Sequence, residues 1–103
     1  FAYVSHLPHV VAYALVHSVA TLRTPVPLGY SAGGFRDFAR IASSNPEMWK
    51  DVVLQNRAEV LRAIAHYRRN LRLLERHIAK GDVSGLLGYF RRAKKTRDGL
   101  PAP

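Results

Sequence analysis

The chain has 103 residues, a formal net charge of +9 and no cysteine. That length suits one domain with a single core and is too short for a nucleotide-binding lobe plus a substrate lobe. The lack of cysteine excludes a disulfide framework and thiolate metal sites, and it is compatible with a reducing cytoplasm, the location expected here.

No alternation of period two is long enough for a strand, so the expected fold class is all-α with one long central helix. The opening "FAYVSHLPHVVAYALV" is apolar, lacks a leading Met or cap, and reads as the interior of a longer chain. Residues 10 to 22, the most apolar run, fall short of the ~20 residues of a membrane span and are interrupted by His17, so no membrane partner is expected. They read as a buried helix from about Pro8 to Leu22, and with no Lys or Arg ahead of them they do not read as a signal peptide. Prolines and glycines make residues 23 to 34 a connector. A short helix is expected from about Phe35 to Ala42. The next helix is capped either by Asn45 with Pro46 at its first position or by Ser44 with Glu47 closing a capping box. From Arg57 to Lys80, the residues Val60, Ile64, Tyr67, Leu71, Leu74 and Ile78 form a heptad seam. The rod they predict is longer than this domain needs internally, so part of the seam is expected to pack on another chain. Gly81 ends that helix, Asp82 can cap a last one, and the tail "GLPAP" frays.

Charge is placed unevenly, with twelve Lys/Arg against three Asp/Glu in residues 57 to 97 and four against three in residues 1 to 56. Such a surplus suits nucleic acid, an acidic surface or small anions, and more often than any of these it is a soluble face. The arginines interleave with the seam as a wet helix face would, and no nucleic-acid-binding signature accompanies them, so nucleic acid is not the expected partner. Within "GGFRDFARIA", Arg36 and Arg40 are i,i+4 neighbours, a like-charge spacing that favours an anion lying against both. Asp37 stands i,i+3 from Arg40 and could hold its guanidinium at a fixed angle for a carboxylate. Gly33 and Gly34 ahead of the helix would let backbone approach a ligand, although on these residues alone an ordinary solvated helix start with a flexible glycine pair is the commoner reading. His6 and His9 flank a helix start but lack the further ligands a metal would require, so no metal is expected; they suit donation to a polar ligand group or a polar corner. Trp49, the single tryptophan, suits core or a pocket wall. No catalytic triad, paired carboxylates, P-loop or GxGxxG can be assembled, so the residues by themselves name no reaction.

The segments "SHLPHVVAYAL", "GGFRDFARIASSNPEMWKDVVLQNR" and "LLGYFRRAKKTRD", in that order, resemble the C-terminal domain of prephenate dehydrogenases over nearly the whole chain. The resemblance implies an all-helical dimerisation domain, similar to the C-terminal domain of 6-phosphogluconate dehydrogenase, from enzymes that oxidise and decarboxylate prephenate or arogenate in tyrosine biosynthesis. It implies a homodimer, and NAD or NADP held mainly by an N-terminal Rossmann domain absent from this chain, where the catalytic residues would also lie. By the same resemblance Arg40 binds a substrate carboxylate, His9 and His6 are pocket histidines, and Trp49 lies near that pocket. Gly33 is similar to a glycine that family dimers bring to the partner's site. Ala32 and Ala39 depart from the Gly and Thr that members often carry. Two readings of other classes stand beside this one: a basic nucleic-acid-binding helical module, and a structural dimerisation domain without a ligand site.

Overall fold

Proline, asparagine and glycine decide where the helices start and stop in the computed structural model, which describes residues 2–22 and 33–101. Residues 23–32, most of the expected connector, and the last two residues of the tail lie outside the described residues. Every described regular element is helical.

Helix α1 spans Leu7–Ala20 with Pro8 in its first turn, and Ala2–His6 ahead of it is already wound as a single π turn. Winding therefore begins earlier than the sequence predicts. The widened turn is one way to fit a proline ring, which would otherwise press on the carbonyl four residues back. Thr21 closes the helix by donating both its N–H and its hydroxyl to the His17 carbonyl, at 3.0 and 2.7 Å.

Helix α2 is Gly33–Ala39, and it tightens into a 3₁₀ turn over Arg40–Ser43. The turn ends at Ser44, whose backbone is extended (φ −67°, ψ 158°). The cap choice left open above is decided by what Ser44 does: its hydroxyl donates backward to the Ile41 carbonyl at 2.8 Å. Asn45 caps α3 instead, its side-chain oxygen accepting from the N–H groups of Glu47 and Met48 at 2.9 and 3.2 Å. Helix α3 is Pro46–Gln55, with Pro46 at its start where a missing N–H costs nothing.

Helix α4, Arg57–Ala79, is the long helix expected, and Gly81 stops it with φ +60°. The Gly81 N–H reaches the Ile78 carbonyl at 3.1 Å and the Asp82 N–H the His77 carbonyl at 2.9 Å, a Schellman ending that needs a residue without a Cβ penalty. Asp82 then caps α5, Val83–Asp98, by accepting from the Gly85 N–H at 2.9 Å.

The chain divides into two units, Phe1–Ile64 and Ala65–Pro103. In the first, α1 packs against the π turn, α2 and the 3₁₀ turn. Among the described residues the buried ones are Ala12, Val60 and Ala63, none larger than valine. In the second, the ring of Tyr89 meets that of His77 edge-on at 6.5 Å, and Leu74 and Leu86 are half-buried. The seam is only partly used within the chain. Val60 is buried, whereas Leu71 and Ile78 are 50% and 60% exposed, and Val83, Leu87 and Phe90 also stand open. A domain that left this much apolar surface in water would forgo most of its stabilisation, at roughly 25 cal/mol per Å². Among the described residues no helix is long and apolar enough to cross a membrane.

The start of α5 carries a testable prediction. Its capping bond to the Gly85 N–H holds the Asp82 carboxyl below the ordinary value of 3.8, with help from the His77 imidazole at 3.2 Å and the Lys80 charge. A lowered folded value means stability that is present above the ordinary carboxylate range and is lost as pH falls through the folded value. The Tm difference between the native chain and Asp82→Ala should therefore shrink below about pH 4, whereas Asp82→Asn, which keeps a capping oxygen, should lose the acid dependence. Gly85→Ala should also lower Tm although alanine is the better helix former, because its Cβ would overlap the Asp82 carboxylate and the His77 ring.

Candidate functional site

The first unit gathers two of the expected site histidines around the tryptophan. His6 closes the π turn and His9 lies one turn further into α1, so both imidazoles emerge on the same side of the helix start. Trp49 lies in the first turn of α3, placed there by the Asn45 cap. The His9 ring stacks on the indole with centroids 3.7 Å apart and planes within 18°, and His6 meets the same indole edge-on at 6.1 Å.

Each histidine has a definite hydrogen-bonding capacity. His9 Nδ1 lies 3.0 Å from the Ser5 carbonyl oxygen, which can only accept, so Nδ1 carries the proton. Its Nε2 is then a free acceptor in the neutral ring and a second donor once the ring is charged. His6 Nδ1 is buried and has no hydrogen-bond partner. Buried polar atoms in folded proteins are nearly always satisfied, and one left alone costs about 1–3 kcal/mol, which makes His6 a strained point of this corner.

Arg40 opens the 3₁₀ turn, and that turn packs against α1. Its guanidinium is exposed, and among the described residues no acid pairs with it. Arg36, Asp37 and Gly33 lie exposed on α2. Three expectations change here. Asp37 forms no ion pair with Arg40. Arg36 and Arg40 do not share one continuous α-helix, since winding tightens at Arg40 itself. Gly33 and Gly34 form the first turn of α2 instead of preceding it, and a Cβ on either would meet open space, so no contact within the described residues requires glycine there.

Sequence reasoning overlooked Tyr13. It lies one turn beyond His9 on α1 and donates its hydroxyl to the Ser44 carbonyl at 2.8 Å. Beside it, Tyr13, His17, Trp49, Lys50 and Leu54 line an open, largely apolar cavity of about 400 Å³. The i,i+4 spacing from His9 was a visible signal, but the partner is a backbone oxygen, which no residue type announces. Among the described residues no three His, Asp or Glu side chains gather as a metal site would require.

These features describe an all-helical domain that leaves an apolar seam exposed and packs two imidazoles on an indole at the start of a helix that also meets the turn bearing Arg40. The family described as "Prephenate dehydrogenase, dimerization domain" matches residues 1–92, and the chain belongs to that family. It is 41% identical over 100 residues to the prephenate dehydrogenase of Bacillus subtilis, covering 95% of this chain and 27% of that protein. It is also 41% identical to the cyclohexadienyl dehydrogenase of Zymomonas mobilis, covering 93% of this chain and 34% of the relative. This chain thus spans about a quarter to a third of the length of these relatives. Among solved structures, it superimposes with a TM-score of 0.91 on the A. aeolicus prephenate dehydrogenase in complex with hydroxyphenyl propionate and NAD+, at 39% identity and covering 98% of this chain and 36% of that one. With the arogenate dehydrogenase of Synechocystis the TM-score is 0.88 at 27% identity, covering 94% and 36%.

Proposed function

We propose that this chain is the substrate-binding and dimerization domain of an NAD- or NADP-dependent dehydrogenase that oxidises and decarboxylates prephenate or arogenate. The observation that carries the reading is the packing of His6 and His9 on Trp49 at the start of α1, a helix that also packs against the turn bearing Arg40. The Arg40 guanidinium offers a fork for one substrate carboxylate. The His9 Nε2 can bond a polar group of a small anionic ring compound, with the His6 ring beside it, and the Trp49 indole provides an apolar wall.

No stretch of this sequence matches the GxGxxG phosphate cradle, and no described strand precedes a helix, so the residues here do not fit a dinucleotide. The cofactor, and the chemistry of accepting hydride, belong in this reading to a Rossmann domain of the same enzyme. The domain pairs with a second copy of itself through the open seam around Leu71, Ile78 and Phe90. Such a reading predicts that the full-length enzyme, given prephenate and NAD+, produces NADH absorbance and carbon dioxide in equal amounts. Arogenate and NADP+ in the parallel assays separate the alternatives within the reading. An enzyme inert in all four combinations would overturn it.

A further inference from the structure

Ser44 sits at the joint between two parts of the proposed site: the 3₁₀ turn that begins with Arg40 ends there, and the helix that carries Trp49 is capped by the next residue. Its extended backbone takes its carbonyl out of both helices, so no helical N–H satisfies it. Tyr13 supplies the missing donor from α1, across 31 residues of sequence, at 2.8 Å and in a part-buried setting. The same helix holds His9 one turn earlier, and His9 is stacked on Trp49. One hydroxyl thus ties the helix of the histidines to the point where the Arg40 turn and the Trp49 helix diverge.

We propose that Tyr13 is a positioning residue for substrate binding: its hydrogen bond to the Ser44 carbonyl sets where the Arg40 turn stands relative to the imidazoles of α1. This rests on the assignment of Arg40 as the carboxylate fork. A guanidinium on an exposed turn binds a bidentate partner only when the turn keeps its place, and a displacement of the order of 1 Å is enough to weaken such a contact. The Ser44 hydroxyl cannot do this work, because it is spent within the turn on the Ile41 carbonyl.

The test is Tyr13→Phe in the full-length enzyme, since phenylalanine keeps the ring in place and removes only the donor. The KM for prephenate should rise about three- to tenfold, the range expected for losing one neutral hydrogen bond, with kcat unchanged. Affinity for hydroxyphenyl propionate, measured by calorimetry, should fall by the same factor. In an Arg40→Ala background, Tyr13→Phe should have no further effect on KM, which a merely structural role would not produce. Arg40→Ala also separates the two ideas. If it raises KM while Tyr13→Phe does not, or if the two effects simply multiply, the positioning role is wrong and the carboxylate fork stands. If Arg40→Ala leaves KM unchanged, the fork itself is wrong.

Discussion

Replacing Arg40 by alanine in the full-length enzyme should raise the KM for prephenate about ten- to hundredfold. The guanidinium lies on an exposed turn, and among the described residues no acid claims it. Its charge-assisted hydrogen bonds to a substrate carboxylate would therefore be made at little expense to the free protein. Losing such a pair costs about 1.5–3 kcal/mol, and each 1.4 kcal/mol is a decade in affinity. The effect belongs in KM because a carboxylate remote from the reacting bonds changes its charge little between ground and transition states, which makes the contact uniform binding. Arg40→Lys should recover only part of the loss, since an ammonium keeps the charge without the fork. Arg62→Ala is the control. Arg62 is also exposed and pairs with Glu59 along its own helix, a contact of the kind that contributes little. An Arg40→Ala enzyme that folds and keeps its KM would exclude the carboxylate fork.

The largest expected effect on assembly comes from Leu71→Glu. Leu71 is 50% exposed in the single chain although it continues the seam that begins at the buried Val60, so another chain is needed to cover it. Full burial of a leucine contributes about 1.5–3 kcal/mol. In a two-fold dimer each substitution acts twice. Because Leu71 is already half covered, dimerisation adds only half of the full-burial value per copy, so about 1.5–3 kcal/mol is then lost per dimer, roughly ten- to hundredfold in dissociation constant, before the cost of desolvating the new carboxylate is counted. Sedimentation at micromolar concentration should show a dimer for the native domain and a monomer for the variant. Leu71 is a cleaner probe than Leu74, which is half-buried within its own unit, so that a charge there would disturb the fold as well as the interface. Arg69→Ala, facing away from the seam on the same helix, should leave the dimer intact. A native domain that sediments as a stable monomer, or a Leu71→Glu variant that remains dimeric, would remove the seam from the interface.

How much of this was legible beforehand follows the range of the forces involved. The stop at Gly81, the cap at Asp82 and the place of Trp49 in the first turn of α3 all rest on hydrogen bonds within about one helical turn, which residue types at fixed spacing specify. The seam of α4 was legible for the same reason, because a periodic stripe is a property of a single helix. Between Ser44 and Asn45, however, two local caps competed. The choice turned on the tight winding from Arg40 onward, which commits the Ser44 hydroxyl to the turn behind it.

What residue spacing could not supply is how α1 meets the segments that follow. The stacking of His9 on Trp49 and the bond from Tyr13 to the Ser44 carbonyl join residues far apart in sequence, and one of them ends on backbone, so neither leaves a periodic or compositional trace. The expected pairing of Asp37 with Arg40, which spacing allowed, is absent, whereas Arg62 and Glu59 at the same spacing do pair: exposed pairs contribute so little that spacing alone does not decide which of them form. Short-range bonding made the Gly81 stop, the Asp82 cap and the apolar stripe of α4 readable from residue types alone, but not the π turn ahead of α1 or the 3₁₀ turn after α2. Only tertiary packing decided which side chains meet at the site, because that depends on many weak contacts summed over helices whose relative placement no single segment encodes.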